Sequence, residues 1–150
     1  MSENYSTKPP VLFWILAVLF VLWGLIGCGI YLMEMTMSDQ AYADAFGPEL
    51  AEVRDVYPTW GLAGYATAVW SGLLASILFI LRKRLSAFIF MLSLGAAVIG
   101  FIPTFINPVL REAAGPSFWV MPLIVVSLGA FEVWYSRHML KPSNLGQIFS

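Results

Sequence analysis

The sequence predicts an all-α membrane protein, a single integral membrane domain (residues 1–150) built as an antiparallel bundle of four transmembrane helices with a short amphipathic helix in its first outer loop. Three observations carry this prediction: a hydrophobic excess, four long apolar runs, and the sorting of basic residues between alternate loops. Of 150 residues, 59% are hydrophobic and 11% charged, where soluble domains have about 45–50% and about 25%. Eight Lys and Arg with nine Asp and Glu cannot keep the surface of a globule so rich in Leu, Ile, Val, Phe and Trp dispersed in water. Lipid must be the solvent for most of the chain. A net charge of −1 excludes nucleic acid as a partner, which would need a basic stripe.

The apolar runs cover residues 11–33, 59–81, 86–106 and 117–136, each close to the ~20 residues that cross a ~30 Å hydrocarbon layer. Lipid offers no partner for backbone N–H and C=O, so the runs must be helices; the alternating strands of a barrel are not present. Lys8, Arg82, Lys83, Arg84, Arg137 and Lys141 fall on one side of such a bundle and only Arg54 and Arg111 on the other. That bias places both termini and the 82–84 loop in the cytoplasm of a bacterial inner-membrane protein. The 82–84 loop is so short that spans two and three must form an antiparallel hairpin.

Between the first two spans, residues 34–58 carry Glu34, Asp39, Asp44, Glu49, Glu52 and Asp55 against a single Arg54, and belong outside. Pro48 suits the first turn of a helix on which Leu50, Val53 and Tyr57 share a face, an amphipathic cap on the outer rim. Trp14 and Trp134 near one interface and Trp60 and Trp119 near the other form aromatic belts. Pro103 and Pro108 around the outer end of span three, and Pro122 six residues into span four, each remove an N–H and disfavour helix in the residue before; the expected outcome is a loosened outer half of span three around residues 101–108.

Within span two, Gly64, Ala68, Gly72 and Ser76 recur every four residues beside a second small stripe of Ala63, Thr67, Ser71 and Ala75. In lipid, close backbone approach over small residues drives helix association, so this face serves either packing inside the bundle or contact with another subunit or a second copy. Trp23 and Trp70 sit near mid-membrane with Ser71 and Ser127 at compatible depth, where they form either a small polar layer in the bundle or a ligand site. Glu132 is the single ionisable residue inside a span, about one turn from Arg137 and the inner basic layer. It either snorkels to an ion pair with Arg137 and the inner basic layer or serves a proton or cation. Glu34 reads as a solvated edge charge.

Enzymatic chemistry lacks a set of residues. His138 has no Cys, His or Asp at ligand spacing, no glycine-rich phosphate loop follows a strand, and no cofactor is implied. The lone Cys28 cannot form an internal disulfide. Leu25-Ile26-Gly27-Cys28 matches a bacterial lipoprotein cleavage box, but apolar sequence continues to Met33, which favours a retained span. Asn4-Tyr5-Ser6 fits a glycosylation pattern on a terminus assigned to the cytoplasm. No internal repeat relates the two halves.

Trp23-Gly24-Leu25-Ile26-Gly27 leading to Tyr31-Leu32-Met33, Pro58-Thr59-Trp60, Ala68-Val69-Trp70-Ser71-Gly72 and Leu81-Arg82-Lys83-Arg84 with Ser93-Leu94 together resemble a group of small bacterial four-span proteins labelled sugar transporters. The resemblance covers roughly residues 20–95 and implies an inner-membrane helical protein. Gly24 and Ile30 stand where that group carries Asn and Asp. The residues themselves favour a non-enzymatic accessory or scaffold subunit acting through helix contacts; the alternative is a small-solute transporter or channel-like homo-oligomer.

Overall fold

The computed structural model describes residues 8–141 and 148–150; the Asn4-Tyr5-Ser6 motif lies outside them. The chain folds into α1 (Val11–Thr36), α2 (Asp39–Phe46), α3 (Pro48–Glu52), a 3-10 turn at Arg54–Val56, α4 (Thr59–Ile80), α5 (Leu85–Ile106), α6 (Pro108–Ala114) and α7 (Val120–Met139). Helices α1, α4, α5 and α7 are long and apolar enough to cross a membrane. The protein is therefore an all-α, multi-pass membrane protein. Trp14, Trp60, Trp119 and Trp134 all project outward from the bundle.

Three features differ from expectation. The outer segment holds more helix than one amphipathic stretch. Ser38 caps α2 by accepting from Ala41 N at 3.3 Å, and Gly47, at φ 102°, turns the chain into α3 with Pro48 in its first turn. That helix stops at Glu52, so Leu50, Val53 and Tyr57 do not lie on one continuous helix. Helix α6 is also additional, capped by the Asn107 side chain on Val109 N at 3.0 Å. Finally, the prolines do not loosen the helices. Pro103 lies inside an unbroken α5, its ring filling a notch that Gly61 leaves on α4; a Cβ on Gly61 would come within 2.6 Å of Pro103 Cγ. Pro122 falls in the first turn of α7, where an N–H has no intrahelical acceptor to lose. Residues 117–119 precede that helix as turn.

Helices α4 and α5 form the central hairpin, with α1 packed against α4 and α7 against α5. The tight α4–α5 connection puts Arg82 in the left-handed region at φ 59°. The Gly64, Ala68, Gly72 stripe faces α5. A Cβ on Gly64 would meet Gly100 N at 2.8 Å and Ala96 O at 3.0 Å, and the Ser93 hydroxyl donates to Ala68 O at 2.7 Å. Ser76 continues the stripe, buried, with its hydroxyl turned back to Gly72 O at 2.8 Å. On the other side of α4, Gly24 lets α1 approach; a Cβ there would lie 2.9 Å from Leu73 Cα.

The core is concentrated at the basic end. Phe13, Ala17, Phe20, Ala75, Phe79, Phe90, Tyr135 and Met139 pack together there, joined by Phe149. Residues 148–150 reach this cluster because Ser150 pairs with the hairpin turn on both sides: Arg84 N donates to Ser150 O at 2.8 Å and Ser150 N to Arg82 O at 3.0 Å. Helices α1 and α7 meet here through Phe20, whose ring lies 6.0 Å from Phe131 and 6.2 Å from Tyr135. Toward the acidic end the same two helices stand apart, with a cavity between them.

Candidate functional site

The cavity has a volume of about 560 Å³, and its walls follow from helical periodicity. Trp23, Gly27, Ile30 and Glu34 form one stripe of α1, and Met121, Val125, Gly129 and Glu132 the corresponding stripe of α7. The ends of each stripe are eleven positions apart, about 16 Å at 1.5 Å per residue. The back wall is the α4–α5 hairpin, where Ala68, Gly72, Ser93, Ala97 and Gly100 leave room because their side chains are small. Toward the acidic end, Tyr42, Leu50 and Arg54 of the segment between α1 and α4 also line the cavity.

Glu132 forms the floor. It is buried, at 7% exposure, and lines the cavity. Depth alone allows an ion pair with Arg137, but five residues at about 100° each put the two about 140° apart around α7. The structure does not form that pair: among the described residues the only salt bridge is Arg54–Asp39. Nor does it assemble the Trp23, Trp70, Ser71 and Ser127 layer. Trp23 lines the cavity, whereas Trp70 and Ser127 face outward and the Ser71 hydroxyl back-bonds to Thr67 O at 2.5 Å. Equal depth does not make a layer when the side chains leave their helices in different directions.

Sequence reasoning missed the mouth of the cavity. Glu34 is half-buried rather than solvated, and the Tyr65 hydroxyl donates toward its carboxylate. Tyr31 packs edge-on against Tyr65 at 5.2 Å. Tyr57 donates to Gly100 O and accepts from Thr104, tying the segment before α4 to α5. Burial above all pushes the Tyr57 and Tyr42 phenols above their usual range, so both remain protonated donors. The signal for this rim was the stripe of α1 ending at Glu34.

Arg54 anchors the cap over the mouth. Its guanidinium donates to Glu34 O at 2.5 Å, Met37 O at 3.3 Å and Asp39 Oδ1 at 3.2 Å, and lies 4.8 Å from the Tyr42 ring centre. Two of these acceptors are carbonyls at the C-terminal end of α1, which have no intrahelical partner and favour a cation. The Asp39 carboxylate is almost fully exposed, so that ion pair contributes little. Arg54→Ala is therefore expected to release the cap, raising amide hydrogen exchange across residues 37–58 by about tenfold, equivalent to ~1.4 kcal/mol of local opening, while α4 and α5 stay protected. Asp39→Asn should leave exchange nearly unchanged, and Arg54→Lys should not restore protection, because an ammonium lacks the planar fork.

Cys28 is buried in the middle of α1 and donates to Val69 O on α4 at 3.3 Å. Cleavage before it would remove Phe13, Ala17 and Phe20 from the core. Among the described residues, no three His, Cys, Asp or Glu side chains cluster closely enough to hold a metal ion. No family model, curated protein or solved structure matches the chain.

Proposed function

We propose that this multi-pass membrane protein is a non-enzymatic binding protein for a small, largely apolar molecule, held in the cavity between α1 and α7. The observation that carries this reading is the cavity itself: about 560 Å³ between largely apolar helix faces, reaching from the cap residues Tyr42 and Arg54 to Glu132. Cavities of this size, largely apolar with few polar groups, are the usual form of a small-molecule site. The walls favour an apolar or amphipathic ligand over a sugar, because a polyol needs many hydrogen-bond partners to replace its water, and Ser93 already spends its hydroxyl on Ala68 O. The sorting of Lys and Arg supports a bacterial inner membrane with the basic end in the cytoplasm.

The test is native mass spectrometry of protein purified from its own membranes in a mild detergent. Wild type is expected to carry a small-molecule adduct. Ala97→Phe, which places a ring in the back wall, should lose that adduct while eluting as the same species. Identical spectra for the two proteins would sink the reading.

A second reading, an accessory subunit or self-associating protein, has its own support. On the opposite face of the hairpin, Ala63, Thr67, Gly95 and Ile99 line a shallow trough, and a Cβ on Gly95 would meet nothing within 4 Å. A stoichiometric protein partner in the same spectra, lost on Gly95→Leu, would favour it.

A further inference from the structure

We propose that the ligand of the cavity is an organic cation, an amine or onium group on an apolar body, with its positive charge seated at Glu132; this rests on the binding role given above and names its chemical class. The floor of the cavity is a carboxylate 7% exposed with no salt-bridge partner among the described residues. A carboxyl group in lipid is expensive unless something compensates it, and a structural role would have aligned a basic side chain with it. Arg137, the basic residue nearest to it in sequence, lies about 140° away around α7. About one turn along α7 from Glu132 stands Gly129, where a Cβ would lie 3.0 Å from Leu94 Cδ1 of α5; both residues line the cavity and neither carries charge. An arriving cation would supply the missing partner and favour the ionised carboxyl.

The approach to the site fits the same charge. The acidic end carries Glu34, Asp39, Asp44, Glu49, Glu52, Asp55 and Glu112 against Arg54 and Arg111, and Arg54 is already held by the cap. Such a field concentrates cations at the mouth and repels anions. Along the wall, Trp23 and Tyr65 supply aromatic rings, surfaces that attract cations as well as apolar groups. An anionic or neutral polar ligand would find no group of matching chemistry at the floor.

The experiment compares tetraphenylphosphonium with tetraphenylborate, ions of the same shape and opposite charge, by equilibrium binding to the purified full-length protein in a neutral detergent. Wild type is expected to bind the cation at least tenfold more tightly than the anion. Glu132→Gln should lose about tenfold or more in cation affinity, Glu132→Asp should retain most of it, and Ala97→Phe should abolish it. Equal binding of the two ions, no binding of either, or cation binding unchanged in Glu132→Gln overturns the proposal. The wild-type comparison stands even where a Glu132 variant fails to fold. If both ions bind equally and Ala97→Phe removes both, the cavity is a binding site but not one selective for cations. If Ala97→Phe changes neither, the binding role fails as well.

Discussion

Gly64→Leu is expected to prevent α4 and α5 from closing, lowering the stability of the detergent-solubilised protein by about 3 kcal/mol or more, at or above the top of the usual range for overpacking. Even the first carbon of a side chain at this position would lie 2.8 Å from Gly100 N and 3.0 Å from Ala96 O. Those are backbone atoms inside a helix, so relief requires the two helices to move apart rather than one side chain to rotate. Separation would also break the Ser93 bond to Ala68 O. Gly72→Ala offers the instructive contrast. Its Cβ would meet Ser93 Oγ at 2.9 Å, the end of a short side chain, so the cost is the loss of that one hydrogen bond, about 1 kcal/mol. Thermal unfolding of both variants in one detergent measures the difference, and a Gly64→Leu protein melting with wild type would mean that the helices do not cross there.

Phe79→Ala is expected to cost about 2–3 kcal/mol. The ring is fully buried and stands within 5.0 to 6.1 Å of Phe13, Phe20, Phe90, Tyr135 and Phe149, so its removal takes a partner from α1, α5, α7 and the 148–150 segment together. Soluble cores lose about 3–5 kcal/mol in such a change. Here the figure is smaller, since a side chain displaced into lipid stays in an apolar medium and what is lost is packing. Phe88→Ala, on the exposed face of α5 at 66% exposure, should leave the melting temperature close to wild type. Equal losses at both positions would show that the aromatic cluster does not hold the basic end together.

The four spans were legible because each is a long run of apolar residues, and the hairpin because three residues leave α4 and α5 no other arrangement. Helices α2 and α6 were not, since eight and seven residues of mixed polarity give no clear periodicity and owe their ends to Ser38, Gly47 and Asn107. Pro103 was misjudged for a related reason: its cost falls when the ring has a notch to fill, and only the pairing with Gly61 reveals the notch. For the site, sequence gave depth without direction. Glu132 reads as the one ionisable residue inside a span, within reach of Arg137, yet Arg137 lies on another face; Trp23 and Trp70 share a level but not a cavity. Glu34 was set aside as solvated because its partner Tyr65 lies a span away in sequence.

The seat of Phe149 has a consequence for assembly. Its ring rests on Phe13 of α1 and Phe79 of α4, while the adjacent Ser150 is held by the turn between α4 and α5. None of these surfaces exists until three membrane helices have been inserted and have found one another. Residues 148–150 thus dock only on a finished bundle, which makes their burial a late, long-range step in folding.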